Sequence, residues 1–187
     1  SFPLFVDQMQ RGAERVKLAA VQLVFDLVIV HGLQHLVSRN VQGTREELGA
    51  EAYDAEVKKA CATLLGFLLA FLEDDDQAVQ SAAAQGAAKL MLAGLVEDAE
   101  EVLKSIVLVY MSPETVENEE LRQCLSYFLP AYSYSSPANQ RRLRSVWLDT
   151  LKVLSEVYED KEADQEMVAP PQIGMQLIDW MDSNKAM

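Results

Sequence analysis

Apolar residues recur at intervals of three and four along nearly the whole chain, and this spacing constrains the fold more than any other feature. Val16, Ala20, Leu23 and Leu27 begin the pattern. It continues through five further segments, at 57–72, 79–91, 102–110, 121–132 and 143–158. A period of 3.6 residues places such side chains on one stripe of a helix. No run alternates with period two for long enough to form a strand, so the chain is predicted to be all-α.

Helix-capping residues mark several of the predicted boundaries. The acidic run 74–76 precedes the helix at 79–91, where the positive end of the helix dipole favours carboxylates. Ser136-Pro137 combines an N-cap residue with the residue best suited to the first helical position, and Pro113 should end the preceding helix at or before Ser112. The first helix is predicted from about Ala13 to Val37. The polar segment 39–54, which contains two glycines, is predicted to be a loop.

Two predicted helix pairs have similar lengths and form a repeat. One hairpin occupies 74–112 and the other 117–160, an offset of about 43 residues that is typical of HEAT and armadillo repeats. Small residues at 82, 83, 86, 87 and 88 would let stacked helices approach closely. The sequence therefore predicts a HEAT-repeat α-solenoid of about three helix pairs in residues 1–160, with an insertion loop at 39–54. An acidic, proline-containing linker at 161–171 and a terminal amphipathic helix at 172–187 should follow.

Charge and composition exclude several classes of protein. The 187-residue chain has 29 acidic and 16 basic side chains, a net charge of −13, and the acidic excess lies in residues 61–187. DNA and anionic membranes repel such a chain, so contact with DNA would need a local basic patch. No apolar run reaches the roughly 20 residues of a membrane span. Two distant cysteines, Cys61 and Cys124, predict buried thiols in a reducing compartment. The missing initiator Met suggests a piece of a longer chain.

A more specific pattern lies in the fifth and sixth helical segments. The run Leu-Arg-Gln-Cys-Leu at 121–125 is followed by an aromatic, a proline and further tyrosines, and then by Asn-Gln-Arg at 139–141. These residues resemble the C-terminal domain of the condensin subunit 3 family, the CAP-G HEAT-repeat subunits. The helix at 172–180 is similar to the same family. The sequence has a fungal rather than an animal character, and Leu129 stands where a second aromatic is expected.

The resemblance implies a non-catalytic arm of condensin. Such a subunit would bind the kleisin subunit and, through it, the SMC ATPases, and would hold double-stranded DNA during mitotic chromosome condensation. It would be found in the nucleus and on chromosomes, with a possible cytoplasmic pool in interphase. The alternative keeps the fold and changes the partner: a general HEAT or armadillo adaptor, such as a transport receptor or a phosphatase scaffold.

Candidate DNA-binding residues form the densest basic cluster of the chain. Arg141, Arg142 and Arg144 lie near the start of the sixth predicted helix, and Arg122 and Lys152 are expected to share their neighbourhood. Arginine and lysine would contact phosphates without reading sequence, in a salt-sensitive manner. A solvated face that partly offsets the surrounding acidic charge is the alternative, because cations are disfavoured at the N-terminus of a helix.

Tyrosines near the turn between the same helices are candidate kleisin-binding residues. Tyr127 and Tyr134 lie off the apolar stripe, so their amphipathic rings could form part of a partner interface. Tyr132 lies on the stripe and is predicted to be in the core.

Two further patterns have simpler explanations. His31 and His35 are spaced like the ligands of a zinc-protease helix, but Gly32 replaces the catalytic glutamate and no third ligand is evident. No phosphate-binding loop, nucleophile elbow or cofactor motif is present, so no cofactor and no enzymatic activity are predicted. Ser112-Pro113 and Ser136-Pro137 have the form of proline-directed phosphorylation sites, although helix capping accounts for Ser136.

Overall fold

The computed structural model describes residues 14–39, 41, 43–96 and 99–186. All regular secondary structure in these ranges is helical. None of the described helices is both long and apolar enough to span a bilayer. The chain divides at the Leu95–Val96 junction into two compact units, Ser1–Leu95 and Val96–Met187.

The first unit contains five described helices. They are α1 (Glu14–His31), α2 (Leu33–Ser38), α3 (Arg45–Leu48), α4 (Ala50–Leu69) and α5 (Gln77–Leu92), with a 3-10 turn at Ala70–Glu73 that continues α4. The long helix α1 packs mainly against α5, and the short α2 packs against α4. The core between α1 and α5 is apolar, with Val21, Val24 and Val28 fully buried.

The first unit corrects two boundary predictions. The helix expected to reach Val37 is broken at Gly32, whose φ of 78° lies in the left-handed region that favours glycine. The expected loop at 39–54 contains α3, which has a complete capping box formed by Thr44 and Glu47. Helix α4 then begins at Ala50, after Gly49 with a φ of 81°. The apolar stripe does not reveal these breaks because it continues across Gly32, whereas α3 is fully exposed and has no stripe.

Helix α5 confirms the role predicted for its small residues. Ala83, Ala87 and Ala88 are buried, with exposed fractions of 0%, 1% and 5%. A Cβ atom added at Gly86 would lie 2.2 Å from Cγ of Phe25 on α1, so the two helices approach as closely as a glycine allows. The predicted N-terminus is also confirmed, because Asp76 Oδ1 accepts hydrogen bonds from the backbone N–H groups of Ala78 (2.8 Å) and Val79 (3.2 Å).

The second unit contains four described helices. They are α6 (Ala99–Met111), α7 (Glu119–Tyr134), α8 (Pro137–Asp160) and α9 (Pro170–Trp180), with 3-10 turns at Pro113–Thr115 and Ser183–Lys185. Helix α8 is central, since α6, α7 and α9 all pack against it. Its buried face includes Leu143 and Leu154. The third and fourth predicted helices, α5 and α6, lie in different units, so their pairing as one hairpin stays a prediction.

The helix boundaries predicted for the second unit are confirmed at two positions. Helix α6 ends at Met111, directly before Ser112-Pro113. Helix α8 begins at Pro137 after its N-cap Ser136, whose Oγ accepts a hydrogen bond from the N–H of Asn139 at 3.2 Å. The terminal helix α9 begins at Pro170, two residues before the predicted start, because proline is well suited to the first turn of a helix.

Candidate functional site

The basic cluster at the start of α8 is only partly available to a ligand. Arg141 is exposed. Arg142 is half-buried, and its Nη1 donates to Asn139 Oδ1 at 2.8 Å. Arg144 is exposed, and its Nη2 lies 3.5 Å from the carbonyl oxygen of Met181. Two of the three guanidinium groups therefore have partners within the unit.

Asn139 explains why Arg142 is held in place. Its Nδ2 donates to the carbonyl oxygen of Tyr132 (3.1 Å) and to Ser135 Oγ (3.0 Å) across the α7–α8 turn. Arg142 also lies near the hydroxyl of Tyr132. Burial raises the pKa of Tyr132, and the nearby Arg142 opposes this shift. The side chain of Arg142 thus belongs to the turn that joins the two helices.

An exposed basic face remains on α8. At 3.6 residues per turn, Arg141, Arg144 and Lys152 fall within about 80° around the helix axis and span about 16 Å along it. All three are exposed, and Leu148, which is 50% exposed, lies between them. Lys152 Nζ lies 3.2 Å from Asp149 Oδ1 in a solvent-exposed ion pair. We call Arg141, Arg144 and Lys152 the basic face of α8.

Arg122, the fifth candidate DNA-binding residue, occupies a different environment. It lies on α7 with its guanidinium carbon 5.2 Å from the ring centroid of Tyr110 on α6. It lines a pocket of about 460 Å³, which we call the Arg122 pocket. The other lining residues are Met111, Val116, Tyr158, Lys161, Gln165, Glu166, Met167 and Val168. Arg144 lines a separate groove, so the structure does not place Arg122 in the same cavity as Arg144.

The two candidate tyrosines also differ in environment. Tyr127 on α7 is 73% exposed. The hydroxyl of Tyr134 donates to Asp179 Oδ2 on α9 at 2.8 Å, and Lys185 pairs with the other oxygen of the same carboxylate. Burial and the hydrogen bond to Asp179 raise the pKa of Tyr134. Tyr132 is 2% exposed, which confirms the predicted core position.

An open groove lies beside this cluster of Tyr134, Asp179 and Lys185. It has a volume of about 690 Å³ and is lined by Arg144, Trp147, Met175, Ile178, Asp179, Met181, Asp182 and Ser183. Met175 and Ile178 are 72% and 57% exposed, so α9 presents apolar side chains to solvent. We call this the α8–α9 groove. The sequence predicts Ile178 on an amphipathic helix, but the groove itself depends on the packing of α9 against α8.

The histidines and cysteines do not form a metal site within the described residues. His31 and His35 are exposed, with ring centroids 6.1 Å apart. No group of three or more His, Cys, Asp or Glu side chains in the described parts of the chain could hold a metal ion. Cys61 and Cys124 are half-buried, whereas the sequence predicted buried thiols.

Lys161 is a pocket residue that the sequence did not indicate. The sequence places it in a linker, yet it lines the Arg122 pocket, with its Nζ 5.4 Å from the ring centroid of Tyr158. No sequence signal identifies this position, because the pocket depends on how residues 161–168 follow the end of α8.

Comparison with known proteins gives consistent matches over the whole chain. Residues 1–187 match the Cnd3 family, described as nuclear condensing complex subunits, C-terminal domain. Condensin complex subunit 3 of Schizosaccharomyces pombe is 29% identical over 183 residues, which cover 98% of this chain and 18% of that protein. Condensin complex subunit 3 of Homo sapiens is 28% identical over 161 residues, covering 82% of this chain and 16% of that protein. The chain thus spans under a fifth of the length of these relatives.

A solved structure is similar over almost the same extent. It is the crystal structure of the S. pombe condensin Cnd3-Cnd2 subcomplex, in which the matching chain is 26% identical with a TM-score of 0.75. The match covers 99% of this chain and 22% of that chain. The prediction of an all-α HEAT-repeat fold is confirmed by this similarity and by the helical content of the chain.

Proposed function

The chain belongs to the Cnd3 family of nuclear condensing complex subunits, and from this membership we propose that it is the C-terminal part of a non-catalytic condensin subunit. It binds the kleisin subunit and thereby joins the SMC ATPases, which hydrolyse ATP. It works in the nucleus, on chromosomes, in mitotic condensation. The single observation that carries the proposal is the similarity over 99% of the chain to Cnd3 in a Cnd3-Cnd2 subcomplex.

The exposed apolar and aromatic residues of the second unit support a role in binding a protein partner. Tyr127 has a solvent-exposed ring on α7, and aromatic side chains contribute much of the energy of protein interfaces. Met175 and Ile178 line the α8–α9 groove. Tyr134 donates a hydrogen bond to Asp179 on α9, the helix that carries Met175 and Ile178. This bond helps to hold the groove-lining helix in place. We propose that a kleisin segment contacts Tyr127 and this groove.

A binding experiment with a kleisin fragment tests that surface. Tyr127→Ser and Ile178→Ser should each weaken binding about tenfold or more, as expected for exposed anchors in an interface. Val30→Ser is the matched control, because Val30 is also largely exposed (72%) but lies on α1 in the first unit. Equal affinities for all three variants and the parent chain would contradict the proposed surface.

The basic face of α8 supports a direct contact with DNA. Arg141, Arg144 and Lys152 present three cations on one exposed stripe, and such a patch is needed because the net charge of −13 opposes DNA binding. Arg142 and Arg122 stay candidates, but both are half-buried, whereas the three residues of the basic face are exposed. Glu159 lies on the same stripe and Glu156 lies beside it, towards the end of α8, so we propose that DNA contacts its first half.

Salt-dependent binding of duplex DNA tests this contact. Each phosphate contact contributes about −0.9 to the slope of log affinity against log salt. The triple variant Arg141→Gln, Arg144→Gln, Lys152→Gln should therefore make the slope of log affinity against log salt shallower by about 2–3. The matched control removes three exposed cations from the first unit, by Arg45→Gln, Lys58→Gln and Lys59→Gln.

The two arms of the test separate the two proposals. An equal loss of slope in both triple variants would contradict a specific basic face and indicate only a general charge effect. A chain that binds kleisin and ignores DNA would refute the DNA contact and leave the kleisin proposal standing. A chain that binds neither would favour the general HEAT adaptor.

A further inference from the structure

The Arg122 pocket contains two cations that no described carboxylate neutralises. Arg122 and Lys161 both line it, and neither forms an ion pair with any of the residues that the structure describes. Glu166, the acidic residue among those that line the pocket, is exposed.

The guanidinium of Arg122 has a buried donor without an acceptor. Its Nη1 is shielded from solvent and has no hydrogen-bond partner among the described residues. A buried donor, above all a charged one, is destabilising until it meets an acceptor. The guanidinium carbon lies 5.2 Å from the ring centroid of Tyr110 in a cation–π contact, and the ring face supplies no acceptor oxygen. Arg122 itself lines the pocket, so an acceptor bound there would lie beside this side chain.

Lys161 provides a second donor on the same pocket. Its Nζ donates to the carbonyl oxygen of Gln165 at 3.2 Å and lies over the ring of Tyr158. An ammonium group has three hydrogen-bond donors, so capacity for a ligand remains. Four apolar side chains, Met111, Val116, Met167 and Val168, line the pocket beside the two cations, together with Tyr158, Gln165 and Glu166.

We propose that the Arg122 pocket binds the carboxylate of an acidic side chain in a partner peptide, with apolar side chains on either side of it. A carboxylate matches the planar guanidinium and forms charge-assisted hydrogen bonds, while Met111 and Val168 would contact the flanking apolar groups. A free phosphate would use the cations but leave the apolar walls without contacts, and it would meet Glu166 with a higher charge. A DNA backbone would likewise leave Met111 and Val168 without apolar contacts.

Methyl NMR of the methionines reads occupancy of this pocket directly. Met111 and Met167 line it, and Met175 lies in the α8–α9 groove and serves as an internal control. The probes are the tripeptide Ac-Leu-Glu-Leu-NH₂, its neutral counterpart Ac-Leu-Gln-Leu-NH₂, and inorganic phosphate. We expect the glutamate peptide to shift the Met111 and Met167 signals saturably and to bind about tenfold more tightly than the glutamine peptide, as charge-assisted hydrogen bonds would give.

Two substitutions assign the preference to the cations. Arg122→Gln should abolish the preference for the glutamate peptide. Lys161→Gln should reduce the preference severalfold. Because Lys161 lies outside the helices, this second variant is expected to fold even if Arg122→Gln does not. Arg144→Gln, in the other groove, should leave the preference unchanged.

Three results would overturn the proposal. Equal binding of the two peptides would show that the pocket does not select a carboxylate. Tighter binding of phosphate than of the peptide would indicate a site for small anions. The absence of any shift at Met111 and Met167 would indicate that water alone satisfies Arg122. None of these results bears on the proposed kleisin surface or on the basic face of α8, which consist of other residues.

Discussion

Gly86→Ala is predicted to destabilise the first unit, although alanine is the better helix former. Gly86 lies within α5 and is buried beneath Phe25 of α1. A Cβ atom at this position would lie 2.2, 2.4 and 2.5 Å from Cγ, Cδ1 and Cδ2 of the Phe25 ring. These are the ring atoms nearest the backbone of α1, so Phe25 cannot relieve the clash by moving only the tip of its side chain.

The magnitude follows from two opposing terms. Carbon atoms pack at about 3.5–4.0 Å, so the ring and the new methyl group must separate by more than about 1 Å. Overpacking of this kind costs about 1–3 kcal/mol, and this contact belongs at the upper end. The higher helix propensity of alanine offsets about 1 kcal/mol of this cost. We therefore expect the free energy of unfolding of the first unit to fall by about 2 kcal/mol.

Gly66→Ala is the matched control. Gly66 lies in α4 and is exposed, and a Cβ atom added there would meet no neighbouring atom within 4 Å beyond its own stretch of helix. The substitution should raise stability by about 0.5–1 kcal/mol through helix propensity alone. The same chemical change thus has opposite signs at two helical positions of one unit, and the difference between the variants is about 3 kcal/mol.

Urea unfolding followed by far-UV circular dichroism measures this difference. Both tryptophans, Trp147 and Trp180, lie in the second unit, so their fluorescence gives a separate record of that unit. Phe25→Leu in the Gly86→Ala background should restore part of the lost stability, since the smaller side chain relieves the clash. The reasoning would be refuted if Gly86→Ala proved as stable as Gly66→Ala, or if Phe25→Leu gave no rescue.

Two further substitutions test the helix cap of α5 and the Tyr134 cluster. Asp76→Ala removes the acceptor of two backbone hydrogen bonds and should lower the free energy of unfolding, measured in urea, by about 1 kcal/mol. Asp76→Asn keeps an acceptor oxygen and should retain most of the stability. Equal losses in the two variants would contradict capping by Asp76. Hydrogen bonds from Lys185 and Tyr134 hold the pKa of Asp179 below its ordinary 3.8. The ionised carboxylate therefore stabilises the folded chain above pH 3.8, and this stabilisation is lost as the pH falls through the pKa of the folded state. Tyr134→Phe should therefore raise the pKa of Asp179 in a carboxyl NMR titration, and an unchanged pKa would exclude the hydrogen bond in solution.

The helical stripe and the capping residues made much of the local structure predictable. The spacing of Leu121, Leu125 and Phe128 indicates one buried helix face, and all three are buried. Ser136-Pro137 fixes the start of α8 because the hydroxyl accepts a backbone hydrogen bond and proline suits the first turn. These signals act over three or four residues, and sequence reasoning therefore reads them directly.

The candidate sites were less predictable for the same physical reason. Arg141, Arg142 and Arg144 are neighbours in sequence, but the partners of the last two are Asn139 and the carbonyl of Met181, and the second of these lies on a distant part of the chain. Arg122 was grouped with them by its charge, yet its contacts are with Tyr110 and the pocket that also includes Lys161. A sequence shows which residues are charged, but it does not show which residues they contact in the folded chain.

The sequence alone determined that the chain is helical, where several of its helices begin or end, and most of the side chains that face a core. These properties depend on the 3.6-residue period and on hydrogen bonds between near neighbours. Val16 and Leu23, on the predicted stripe of α1, are instead 45% and 39% exposed. The tertiary structure decided which cations are exposed, that Tyr134 reaches Asp179 across 45 positions, and that Arg122 and Lys161 share a pocket. Such contacts depend on how helices pack, which the order of residues along one helix does not specify.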